Sequence, residues 1–176
     1  LMIPFLPMLQ IQILLINLLS DFPLIAVASY SVDTEELRKP KHYQLSRVIM
    51  LIVFLGLVST LFDFLFFGIF HKVGESRLQT LWYIESILTE IILIFSIRTS
   101  RFFLKGKVPS LSFIFISVIT VLITIALPFT GPGRSIFHFV VPDLKSLFIV
   151  FSLVLSYFIV SEAAKLYYFR HWMHRK

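Results

Sequence analysis

The sequence predicts an all-α integral membrane protein, a bundle of about five transmembrane helices, on three observations. First, 57% of the residues are hydrophobic, 15% are charged and the mean hydropathy is +0.89. A soluble domain carries roughly half apolar and a quarter charged residues. Second, the apolar residues bunch into runs long enough to cross a bilayer, for which roughly 20 are needed. Third, the 16 Lys and Arg lie in the gaps between those runs rather than along one stripe. No window shows the strict alternation of a membrane β-barrel. A complete soluble enzyme is excluded. Cysteine is absent, so neither a disulfide framework nor a thiolate metal site is available.

The whole chain, 1–176, is expected to form one transmembrane domain. The first run covers approximately residues 8–30 and opens on Pro4 and Pro7, which break LMIPFLP into a turn or the tail of an earlier span. The second covers 47–71, the third 80–97, the fourth 110–128 and the fifth 144–164. No repeat or low-complexity tract interrupts them.

The connections set the orientation. Arg38, Lys39, Lys41 and Arg47 lie between the first two runs, and Arg98, Arg101, Lys105 and Lys107 between the third and fourth. Lys165, Arg170, Arg175 and Lys176 follow the fifth. The two remaining connections carry only Lys72 and Arg77, then Arg134 and Lys145. Positive charge marks the cytoplasmic side, so the C-terminus is expected in the cytoplasm, the N-terminus outside and the protein in the plasma membrane. Residue 1 is Leu, with no basic flank or cleavage site ahead of the first run. The chain therefore reads as a piece of something longer. The net charge of +6 is assigned to topology and anionic lipid, not to nucleic acid. The tail KLYYFRHWMHRK is read as an aromatic belt with a basic anchor.

Polar residues inside the spans carry the functional signal, because a charge near the bilayer centre costs roughly 2.5–3.5 kcal/mol on insertion scales. Asp21, Asp63, Glu85 and Glu90 qualify, with Asn17 and Ser20 as neutral oxygens. In LLINLLSDFPLIA, Asn17 and Asp21 are about 40° apart around a helix, and Ser20 is on the same side. Pro23 removes a hydrogen bond from that turn, and an unwound turn would expose carbonyl oxygens, as membrane transporters do at their cation sites. Carboxylate, amide, hydroxyl and carbonyl oxygens make the hard set that Mg²⁺ or Ca²⁺ prefers. The same residues also fit plain helix–helix hydrogen bonding with Asp21 near the membrane edge, and both readings stand.

In WYIESILTEIILIF, Glu85 and Glu90 are about 140° apart and cannot face one site. Glu85 reads as an interfacial residue near the outer end. Glu90 is deeper and reads as a second cation-binding carboxylate, or as a protonated acid held by a hydrogen bond. Asp63 is expected to pair with Lys72 or Arg77, or to support packing. His71, His138, His171 and His174 fall at membrane edges or in the tail, and His42 in a cytoplasmic connection; none forms a metal pair within a span.

The stretch PFLPMLQIQILLINLLSD, followed by VDTEELRKP, resembles the fifth-to-sixth helix turn and sixth helix of P-type cation-transporting ATPases, closest to the bacterial magnesium-transporting branch. VSTLFDFLFF, LWYIESILTEIILIFSIRTSR, IALPFTGPG and KLYYFRHW extend the resemblance, in order, over essentially the whole chain. It implies that the spans are the sixth to tenth helices of a ten-helix pump. Asn17 and Asp21 then correspond to cation-coordinating residues of the sixth helix. Glu90 falls where calcium pumps have a coordinating glutamate and the magnesium branch more often has glutamine, which leaves the ion open. Ser20 and Glu85 are secondary candidates, Glu85 matching an acid seen in part of the magnesium branch. The loop from Asp33 to Lys41 corresponds to a connection near the phosphorylation domain, either a coupling element or a solvated loop.

No DKTGT motif, nucleotide domain or actuator motif is present, so the chain has no ATPase activity alone. It binds no cofactor of its own; Mg²⁺ or another divalent cation is cargo, and ATP acts through other domains. The partners implied are the lipid bilayer, the cytoplasmic catalytic domains and the first membrane helices of the same pump. Competing readings are a stand-alone channel or accessory subunit, an inactive gene remnant, or a pump for calcium or protons.

Overall fold

The computed structural model describes residues 4–28, 45–99, 102–104 and 108–173. It is all-helical, as the apolar runs predict, and the described residues contain no strand. Five long helices are α1 Gln10–Ala28, α2 Leu45–Phe70, α3 Glu75–Ile97, α4 Leu111–Ala126 and α5 Leu144–Tyr168. Helices α2, α3 and α5, and α4 together with the turn that extends it to Phe129, are long and apolar enough to cross a membrane, and the apolar part of α1, Gln10–Ala26, is shorter. The expected basic positions Arg38, Lys39, Lys41, Arg101, Lys105, Lys107, Arg175 and Lys176, with His42, His174 and the Asp33–Lys41 loop, lie outside the described residues.

Helices α1, α3, α4 and α5 start on local signals. Gln12 returns its side chain to accept the Leu9 N–H at 3.0 Å, which satisfies one of the donors left free at the start of α1. Ser110 caps α4 by accepting from Phe113 N, and Asp143 caps α5 by accepting from Ser146 N. Gly74 precedes α3 at φ 90, a conformation open to glycine. Helix α1 runs on through Pro23 without unwinding, contrary to the exposed turn expected from the sequence. The ring is buried, and neighbouring helices hold such a turn in helical geometry. Only the Leu19 carbonyl loses its donor.

Helix α3 is the hub. It packs on α5, α1 and α4, while α2 packs on α5 and α1 on α4. Leu78, Leu81, Ile84 and Ile87 of α3 are fully buried with Phe66 of α2 and Val150 of α5. Edge-to-face rings fasten the same layers: Phe67 on Trp82 at 4.6 Å and Phe62 on Tyr157 at 5.4 Å. The segment between α4 and α5 folds back over the N-terminal end of α3. There Phe139 lies on Tyr83 at 4.4 Å, Val140 N donates to Thr80 Oγ1 at 3.0 Å, and Gln12 Nε2 donates to the Phe137 carbonyl at 2.8 Å.

Candidate cation site

Helices α1 and α3 carry the candidate ligands. On α1, Asn17 and Asp21 are exposed, and Ser20 is buried with its hydroxyl donating to the Asn17 carbonyl at 3.3 Å. Glu90 on α3 is half-buried, with Ser20 and Asp21 of α1 within electrostatic range. Ser20 and Asp21 of α1 and Glu90 of α3 are thus within electrostatic range across the α1–α3 packing, with Asn17 one turn from Asp21 on α1. Two carboxylates, a hydroxyl and an amide are hard oxygen donors of the kind a small divalent cation takes. Among the described residues no three His, Cys, Asp or Glu side chains cluster as a metal site.

Glu85 is elsewhere. It is 3% exposed, and its carboxylate feels Asp63. It lies ten residues into α3, about 15 Å along the axis, so it is near mid-helix and not at the interface. The interfacial reading is corrected: α2 and α5 cover that face of α3. Asp63 forms no pair with Lys72 or Arg77 among the described residues. Arg77 instead meets Asp143 at 3.4 Å. Asp63 lines a polar cavity of 260 Å³ with Ser59, Ser86, Thr89, Glu90, Leu93 and Tyr157. Glu90 therefore stands between the α1 oxygens on one side and this cavity on the other. His71, His138 and His171 are exposed, and His71 and His171 bond only backbone carbonyls of their own helices.

Sequence reasoning missed Glu162. It sits inside the fifth apolar run, and with Lys165 three residues on it forms a buried ion pair at 2.8 Å. Lys165, read as a tail charge, is fully buried within α5. The available signal was an acid and a base spaced i, i+3 within one apolar helix, where each can neutralise the other.

A family model described as the C-terminus of cation-transporting ATPases matches residues 5–167. Two relatives are proteins named magnesium-transporting ATPase, P-type 1. That of Escherichia coli is 30% identical over 135 residues, covering 73% of this chain and 15% of the relative. That of Salmonella typhimurium is 26% identical over 178 residues, covering 97% of this chain and 20% of the relative. The chain thus spans a fifth or less of the length of these relatives.

Proposed function

This chain belongs to the family of cation-transporting ATPase C-termini, and we propose that it provides part of the transport site of an ATP-driven Mg²⁺ pump. The observation that carries this reading is that Ser20 and Asp21 of α1 lie within electrostatic range of Glu90 of α3. Asn17 and Asp21 face away from the described bundle, so a cation held there would be completed by oxygens from outside these residues. Pro23 leaves the Leu19 carbonyl, which lies between Asn17 and Asp21 in α1, with no helical N–H to accept from.

Mg²⁺ demands near-octahedral oxygen coordination and keeps several waters, so two carboxylates and a few neutral oxygens are a sufficient protein contribution. The magnesium-transporting names of the relatives support the same ion. The cation is cargo, and ATP hydrolysis falls to domains beyond this chain, since no phosphorylation motif occurs in it. The lipid bilayer is one partner, and the catalytic domains and other membrane helices of the pump are the others. The C-terminus would be cytoplasmic and the N-terminus outside.

The test is the substitution Asp21→Asn in the intact pump. Cation-stimulated phosphorylation should disappear. Normal stimulation would sink the assignment. Competition with Mg²⁺, Ca²⁺ and pH each varied identifies the ion, and stimulation by Ca²⁺ or protons in preference to Mg²⁺ would replace the magnesium reading.

A further inference from the structure

The C-terminal end of α3 is fastened to α5 by a buried ionic latch. Glu162 Oε2 accepts the Ser96 hydroxyl at 2.6 Å, and Oε1 accepts the Phe103 backbone N–H at 2.8 Å. Lys165 Nζ donates to both Glu162 oxygens and to the Ser96 carbonyl, each at 2.8 Å. The carboxylate, with about four lone-pair directions, uses them all. Ser96 is in the last turn of α3, where carbonyls lack helical donors and a cation is favoured by the helix dipole. The other face of the Phe103 peptide is held too: its carbonyl accepts from Arg98 Nη2 at 3.2 Å, and its ring meets Phe158 of α5 at 4.8 Å.

Apolar contacts already hold α3 to α5, through Ile84, Ile87, Val150 and Val154. Apolar packing gives attraction without fixing axial depth, whereas a saturated ion pair is satisfied at one register only. Replacing such a pair with apolar residues is often neutral or stabilising, so adhesion alone does not account for it. Glu90 is six residues before Ser96, about 9 Å along the same helix. The depth and rotation of the latch are therefore the depth and rotation of Glu90.

We propose that Glu162 and Lys165 are positioning residues, which hold α3 in the register that presents Glu90 to Ser20 and Asp21. The proposal rests on the reading of Glu90 as a cation ligand. The test uses the intact purified pump without nucleotide, with Mg²⁺ binding measured by calorimetric titration and thermal unfolding followed in parallel. Lys165→Met leaves a lone buried carboxylate and should lower the unfolding temperature and weaken Mg²⁺ binding together. The double variant Glu162→Gln with Lys165→Met leaves no buried charge. Its unfolding temperature should return close to that of the unsubstituted pump, while Mg²⁺ binding stays weaker by roughly threefold or more. Double-variant binding equal to that of the unsubstituted pump would overturn the positioning role. Glu90→Gln separates the two levels: unchanged Mg²⁺ binding in that variant removes the ligand reading and the positioning role with it. Weakened binding in Glu90→Gln beside normal binding in the double variant removes the positioning role alone.

Discussion

Asp143 shows how much one exposed carboxylate does at a helix start. It accepts from Ser146 N at 3.0 Å and from Ser146 Oγ at 2.9 Å, with Arg77 at 3.4 Å. The Ser146 hydroxyl bond, then the Ser146 backbone bond, hold its carboxyl below the ordinary value, and Arg77 adds to this. A carboxyl lowered by folding stabilises the fold above its unfolded pKa, near 3.9, and loses that contribution as pH falls through the folded value. Asp143→Asn should therefore lower the unfolding temperature at pH 7, and the gap should close as the pH is taken below about 3.9. A gap constant over that range would show that the cap acts without its charge. Glu85 and Glu90 give a second contrast at this scale. Glu90 lies within electrostatic range of α1 residues, whereas Glu85 is buried within electrostatic range of Asp63 of α2. A direct carboxylate ligand is worth at least the roughly 10- to 100-fold in affinity that an outer-shell partner of a bound metal carries. Glu90→Gln should cost that much in cation affinity, and Glu85→Gln less than about threefold. Equal losses in the two variants would mean that both carboxylates reach the ion.

Among the elements, the connection from α4 to α5 is the least regular and the most tightly constrained. A 3₁₀ turn Leu127–Phe129 leads into a five-residue helix Gly131–Ser135, with Thr130 Oγ1 accepting from Gly133 N at 3.1 Å. A Cβ on Gly133 would run into the backbone carbonyl of Leu127, which cannot swing aside as a side chain could. Gly133→Ala should destabilise the protein by about 1–3 kcal/mol, the usual cost of overpacking. Gly131 has open space where a Cβ would go, so Gly131→Ala serves as the control in the same thermal unfolding series. The helices themselves were legible in the sequence because a bilayer-length apolar run has few other folds available. Which face of each helix is buried was not. Helix α2 is apolar almost all round, so its sequence does not reveal that Asp63 turns to a cavity shared with Glu90. The 140° between Glu85 and Glu90 followed from the helical repeat, but the burial of Glu85 depends on α2 and α5 covering that face. Asn17, Ser20 and Asp21 were legible as one polar face; the approach of Ser20 to Glu90 needed the tertiary packing of α1 on α3.

At the scale of the molecule, the structure changes the charge count behind the proposed topology and leaves its sign intact. Lys165 is neutralised by Glu162 inside α5, so it is not a free tail charge. Three bases then follow the fifth run, Arg170, Arg175 and Lys176, against four in each of the other two basic segments. On the opposite side Arg77 is engaged by Asp143, which leaves that face poorer in free positive charge as well. The retention of basic loops on the cytoplasmic side follows the number of Lys and Arg near the ends of spans, with Asp and Glu contributing little, so both pairings leave the asymmetry in place. Ser135, exposed in the short helix between α4 and α5, should then be outside, and Arg170, exposed beyond α5, inside. The chain has no cysteine, so each position can be marked alone in a pump otherwise cleared of thiols. Ser135→Cys should react with a membrane-impermeant maleimide on intact cells, and Arg170→Cys only after permeabilisation. Reaction of Arg170→Cys on intact cells, with Ser135→Cys protected, would invert the bundle and place Asn17, Asp21 and Glu90 on the reverse of the proposed transport path.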